Sequence, residues 1–247
     1  MSVYIPVFLT ICGSLLLASV CASVSETPDT SSKRNARLLQ RNGLPDSYEK
    51  LIGESSQVLI VRNVNPILVD VQVIALEKRN GRWESPFAPI TGVIGKNGFA
   101  PPGEKREGDG RTPSGVFPLG LVFGYERSFP TRMPYRQAAA EDIWVDDIRA
   151  DDYNRWVTRR STTASSFEKM KRSDILYKYG IVIEYNTNPV VKGYGSAIFV
   201  HIWRGKGKST EGCVGISQVD IVKIIRWLDP ASKPLIVMGT NITIGGY

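Results

Sequence analysis

The chain has 247 residues, 42% of them apolar and 22% charged, an ordinary globular balance that allows a sizeable core. Its formal net charge is +7, but the Lys and Arg residues are interleaved with acids such as Glu104, Glu107 and Asp109 and form no aromatic-basic repeat. That pattern argues against a nucleic-acid partner, while an anionic polymer such as a cell wall suits the charge.

In chain order, the first element is the apolar run IPVFLTICGSLLLASVCA over residues 5–22, followed by the polar SVSETPDTSSKRN. It predicts a secretory signal over residues 1–22, with Val20 and Ala22 in the small-residue positions before a cut. No Lys or Arg precedes the run, and its length approaches that of a spanning helix. A membrane anchor, with membrane association through the N-terminus, therefore stays open, as does a lipid-modified Cys21. Export places the protein in the periplasm or cell envelope and removes Cys12 and Cys21. Cys213 is then the single thiol, with no disulfide within the chain.

Residues 23–55 read as a linker and lead-in, with a short helix near NARLLQRNG, and residues 56–247 as one domain. Apolar runs at 58–61 and 67–76 predict a hairpin-like pair of strands, with a further turn at Asn80 and Gly81. A Gly- and Pro-rich stretch separates strands at 90–95 and 116–123 and predicts a long ordered loop of the functional kind. Residues 126–180 read as a charged insert with a helix near SFEKMKRSDILYKYG. Its acids Asp146, Asp147, Asp151 and Asp152 fit no calcium loop, and the expected role is solvated or bracing. GIVIEYN and SAIFVHIW predict strands, SQVDIVKIIRWLD a helix capped by Ser217 and stopped by Pro230, and PLIVMG with NITIG one or two closing strands. The fold class is β-rich α+β, with His201 ending a strand and Cys213 preceding a helix.

His201 is the only histidine, and it lies twelve positions before Cys213. A thiol acts as a nucleophile only as thiolate, and imidazole is the side chain best suited to exchange that proton near neutral pH. Gly212 allows close backbone approach, and the amides of Glu211, Gly212 and Cys213 are candidates for an oxyanion hole. One His, one Cys and Glu211 make a poor zinc set, and no CxxC or HxxxH spacing exists, so no metal is expected. The order of His before Cys is the reverse of papain-like proteases.

The segment FVHIWRGKGKSTEGCVG resembles the active-site segment of the YkuD-type L,D-transpeptidases, in which a histidine is followed by Ser or Thr, His, Gly and Cys. GDGRTPSGVFPLG at 108–120, WVDD with DYNRWV within 144–157, and GSAIFVHIWR at 195–204 add to the resemblance, which covers about residues 57–240. It implies a YkuD-like domain built on a mixed β-sandwich, with a few helices and the charged insert. It further implies Cys213 as the acylated nucleophile, His201 as its base and Ile202 as the carbonyl that orients the imidazole, with Thr210 matching the motif's hydroxyl residue. Arg204 and Arg111 are candidates for holding substrate carboxylates, and Trp203 and Trp144 for walling the pocket, with core packing the favoured expectation for both tryptophans. Glu211 stands where the second histidine is usual, and Gly215 where Asn or Arg is usual. Both are expected at the mouth of the site, where they bear on substrate preference.

The implied reaction is cofactor-free cross-linking of peptidoglycan stem peptides through a Cys213 thioester, with L,D-carboxypeptidase action as the hydrolytic alternative. A cell-wall-binding module without activity and a cysteine peptidase acting on proteins are the competing readings. Oligomeric state is left open.

Overall fold

The computed structural model describes residues 50–63, 65 and 68–240, so the predicted signal, the helix near NARLLQRNG and the NITIG strand lie outside the described residues. The N-terminal strands are β1 (Gln57–Asn63) and β2 (Asp70–Arg79), paired antiparallel as the two apolar runs predict. Asn80 and Gly81, with φ of 50° and 78°, form the tight turn into β3 (Arg82–Glu84), a backbone region that Asn and Gly tolerate best. β4 (Ile90–Val93) and β7 (Gly115–Gly124) bracket the predicted loop, within which β5 (Phe99–Ala100) and β6 (Thr112–Pro113) make a two-stranded parallel pairing. β8 (Tyr135–Gln137) adds beside β7.

β12 (Tyr179–Ile183), β13 (Phe199–Ile202), β14 (Val214–Ile216) and β15 (Leu235–Thr240) complete the main sheet. Its order runs β1-β15-β7-β12-β13-β14-β4-β2, and β2 pairs with β1 as well as with β4. The eight strands therefore close into a barrel-like ring, with β3 and β8 appended to it. This corrects the expected sandwich. Alternating burial along a strand is the same in either architecture; what differs is that the long β2 pairs along both edges, which removes the free edges a sandwich would keep.

One face of all eight strands feeds a single apolar cluster, through Leu59, Val73, Ile90, Val122, Ile181, Val200, Val214 and Ile236. Helix α1 (Gln218–Trp227) adds Ile221, Ile224 and Ile225 to that cluster. Its start is as predicted: Ser217 Oγ accepts from Asp220 N at 3.1 Å and donates to Asp220 Oδ2 at 2.6 Å.

The insert builds a separate three-stranded antiparallel sheet, β10-β9-β11, from β9 (Asp142–Val145), β10 (Trp156–Thr158) and β11 (Phe167–Lys169). The predicted helix near SFEKMKRSDILYKYG is absent. Phe167, Glu168 and Lys169 pair instead with Val145, Trp144 and Ile143 of β9, and Asp174 folds the segment into turns by accepting from Leu176 N at 3.0 Å. Trp144, Met170 and Tyr177 pack with Phe123, Phe199 and Cys213, so the insert covers the outer face of β7 and β13.

Candidate active site

β13 and β14 run parallel, with Val200 opposite Val214 and His201 opposite Gly215. Strand alternation sends Val200, Ile202, Val214 and Ile216 into the ring's core. Phe199, His201 and Cys213 consequently face the other way, toward the insert, and His201 and Cys213 line one cavity of about 390 Å³.

The Cys213 side chain is buried, with Sγ accepting from Phe199 N at 3.4 Å and lying 3.2 Å from Ala197 O, which can take the thiol proton. Burial pushes the thiol up to about 12, with the Phe199 amide partly opposing it. His201 is buried as well, and desolvation lowers it to about 4 against the opposing hydrogen bond with Ile202 O. Because Ile202 O can only accept, its 2.7 Å contact fixes the proton on Nδ1 and leaves Nε2 as the basic nitrogen. Tyr177 sets the ring from the side, edge to face at 5.2 Å. The resting pair is thus a neutral thiol and a neutral imidazole.

The Cys213 loop is shaped by two hydroxyls. Thr210 Oγ1 donates to Cys213 O at 2.6 Å and accepts from Gly212 N at 3.2 Å; Thr112 Oγ1 accepts from Gly95 N at 2.9 Å and lies 3.5 Å from Cys213 O. Gly212 has φ of +147°, and a Cβ there would come within 2.9 Å of Arg111 O. The GDGRTPSG segment is therefore the backing of the cysteine loop, itself organised by Asp109, which accepts from the amides of Arg106 and Arg111 and from Lys105 Nζ. With the Gly212 amide engaged by Thr210, the amides of Glu211 and Cys213 are the remaining candidates for an oxyanion hole.

Among the other residues singled out from sequence, Trp203, Arg204, Thr210, Glu211 and Gly212 line the cavity. Arg111 and Trp144 do not; Trp144 is a core residue whose Nε1 donates to Asn154 Oδ1 at 2.7 Å. Glu211 is exposed at the mouth and ion-paired with Lys96 at 2.7 Å. Gly215 is not at the mouth: it is buried under Trp203, and a Cβ there would meet Val93 Cγ2 at 2.9 Å and Trp203 Cβ at 3.0 Å. A larger residue has no room on this strand.

The sequence reading missed the far wall. Lys105, Glu107, Asp146, Glu168, Arg172 and Tyr177 also line the cavity, four of them from the insert. Arg172 grips Asp174 with two 2.9 Å hydrogen bonds and lies 3.5 Å from Glu168. Burial raises Glu168 and Asp146 above the ordinary carboxylate range, Glu168 against the opposing pull of Arg172. Charge density in the insert was the only signal in the sequence, and it does not say which acids turn inward.

No helix among the described residues is long and apolar enough to cross a membrane. Compared with curated proteins, the chain has no match. Among solved structures it is similar to the helical cell shape determining protein Pgp2 from Campylobacter jejuni, at 13% identity and a TM-score of 0.41, over 76% of this chain and 49% of that one. It is also similar to Bd1075 of Bdellovibrio bacteriovorus, at 13% identity and a TM-score of 0.39, over 75% of this chain and 48% of that one. The chain spans about half the length of those two proteins. The family model for the YkuD L,D-transpeptidase catalytic domain matches residues 67–244, a range that contains both faces of the cavity, the His201 strand and the Cys213 loop. The chain belongs to the YkuD family of L,D-transpeptidase catalytic domains.

Proposed function

We propose that the protein is an exported, cysteine-dependent acyltransferase that acts on peptidoglycan stem peptides. The observation that carries this reading is that Cys213 and His201 line one cavity, with the imidazole proton held on Nδ1 by Ile202 O. Nε2 is then the base. Since the resting thiol is held protonated by burial, its proton leaves as the carbonyl is attacked rather than beforehand.

In the first half-reaction Sγ bonds to the carbonyl carbon of the stem peptide, and Nε2 takes the thiol proton. The amides of Glu211 and Cys213 receive the developing oxyanion. Collapse breaks the C–N bond, Nε2 returns its proton to the leaving amine, and a thioester remains on Cys213. An amine of a neighbouring stem then attacks the thioester and restores the thiol, giving a cross-link. Water in place of the amine gives carboxypeptidase action at the same site. Arg204 and Trp203 line the same cavity; in this reading Arg204 meets a substrate carboxylate and Trp203 walls the pocket.

Purified protein incubated with muropeptides and followed by mass spectrometry tests the reading beside Cys213→Ala. Cross-linked or trimmed products and a Cys213 adduct with a carbapenem are expected from the parent and not from the variant. Unchanged muropeptides together with no adduct would sink the enzyme reading in favour of a wall-binding module.

A further inference from the structure

Among the described residues, Asn80, Asn154, Asn186, Ala197 and Lys233 have positive φ without being glycine. The asparagines suit that region, and Lys233 closes a single 3-10 turn by donating its N–H to Pro230 O at 3.1 Å. Ala197, at φ of 53°, has neither ground, and its Cβ is crowded against the following carbonyl oxygen. It lines the Cys213 cavity.

A backbone held in this region persists only where its surroundings over-determine it, and here they do. Ala197 N donates to Asn154 Oδ1 at 3.1 Å, and Asn154 is itself fixed by Trp144 Nε1 and Asn186 O, each at 2.7 Å. One residue upstream, Ser196 Oγ donates to Glu107 Oε2 at 2.7 Å; one downstream, Ile198 O accepts from Ile183 N at 3.0 Å. The consequence of the conformation falls on the thiol. Ala197 O lies 3.2 Å from Sγ and Phe199 N 3.4 Å, so two backbone groups address one sulfur with opposite polarity. The amide donates, which favours a thiolate; the carbonyl only accepts, which favours the protonated thiol and repels its anion. A thiol has a single proton, and while Ala197 O accepts it, Nε2 of His201 does not.

We propose that Ala197 is a positioning residue for the reaction at Cys213: its left-handed backbone, held by Asn154 of the insert, keeps the thiol hydrogen-bonded to Ala197 O and turned from His201 until substrate enters. The arriving carbonyl draws Sγ across the cavity. The S–H···O bond to Ala197 breaks, an S–H···Nε2 bond replaces it, and the proton moves to Nε2 as the S–C bond forms. The restraint lowers the reactivity of the resting thiol toward electrophiles that do not fill the cavity. It rests on the acyl-transfer reading only for the identity of the arriving group.

The test uses the full chain and two variants. Asn and Thr have nearly equal volumes, but Asn tolerates positive φ and β-branched Thr does not, so Ala197→Asn keeps the carbonyl in place and Ala197→Thr turns it away. The S–H stretch absorbs in an infrared window clear of other protein bands and falls in frequency when the thiol donates to a carbonyl. The parent and Ala197→Asn are expected to show the lowered band and Ala197→Thr a raised one, with the Cys213→Ala spectrum subtracted to remove Cys12 and Cys21. Alkylation by iodoacetamide is read on the Cys213 peptide by mass spectrometry; it forms the S–C bond, releases iodide and loses the thiol proton to solvent. At about pH 8 it should run about tenfold faster in Ala197→Thr than in Ala197→Asn, the equivalent of about one pKa unit. The titratable groups facing Sγ, namely His201, Tyr177, Glu168, Arg172, Lys105 and Glu211, are common to both variants, so the difference reports the carbonyl. A parent band at the frequency of an unbonded thiol overturns the proposal, whether or not either variant folds. An Ala197→Thr protein that melts like Ala197→Asn and matches it in band and rate overturns it as well. If the band and the rate difference hold while muropeptides stay unchanged, the acyl-transfer reading fails and the restraint stands. Cross-linked or trimmed muropeptides with a band that Ala197→Thr leaves unmoved have the opposite meaning.

Discussion

Two residues set the protonation state of the site, and both are held neutral by burial. His201 drops from 6.5 to about 4 on folding, so between those values the unfolded chain binds a proton that the folded chain refuses. Stability from this group is intact above pH 6.5 and is lost as pH falls toward 4, by about 3 kcal/mol in all. Thermal melts from pH 7 to 4 should show that loss in the parent, and His201→Gln should lack this part of it. An unchanged pH profile would mean that the imidazole is not desolvated. At the cysteine loop, Thr210 supplies one hydrogen bond to Cys213 O and takes one from Gly212 N. Thr210→Val strips both at nearly constant volume and should cost about 2 kcal/mol, with slower carbapenem acylation, whereas Thr210→Ser keeps most of both. Equal acylation rates in the two variants would leave the hydroxyl without a positioning role.

At the scale of elements, β14 and its neighbours constrain substitution more tightly than the loops do. Gly215 sits between Val93 and Trp203 and opposite His201. Gly215→Asn, which installs a residue usual in the resembling motif, should destabilise by about 1–3 kcal/mol and displace Trp203 rather than improve the site. Chemical denaturation checks the first outcome and tryptophan fluorescence the second; a variant as stable as the parent contradicts it. Gly180, also opposite His201 but on β12, is tighter still, since a Cβ there would lie 2.1 Å from Phe123 Cζ. That ring fills the glycine's space and stacks edge-on with Phe199, Tyr177 and Trp156, joining the insert to the strand that carries His201.

For the whole molecule, the join between insert and ring runs through Asn154. Its Oδ1 accepts from Trp144 Nε1 and from Ala197 N, and its Nδ2 donates to Tyr185 O and Asn186 O. The residue is buried and has φ of 57°, which Asn tolerates better than most. Asn154→Ala leaves those groups unpaired and should cost about 3 kcal/mol or more. Limited proteolysis should then cut within the insert, residues 126–180, while the ring resists; cleavage spread evenly over both would argue against this join as the weak point. Much of this organisation was legible beforehand. The strand runs, the Asn80-Gly81 turn and the Ser217 cap depend on neighbours a few residues apart, and periodicity exposes them. The helix expected near SFEKMKRSDILYKYG failed because β9, more than twenty residues away, competes for the same backbone.

The sequence by itself determined which chemistry is available: one histidine, one thiol outside the predicted signal, glycines around that thiol, and a strand-rich pattern that resembles a known family. Those are properties of residue type and local spacing. Only the tertiary structure decided that β2 closes the sheet into a ring, that Gly215 lies under Trp203, and that Asp146, Glu168 and Tyr177 share a cavity with Cys213. The physical reason is that strand pairing and side-chain burial join residues far apart in the chain, and the electrostatics of a desolvated wall exist only once those residues have been brought together.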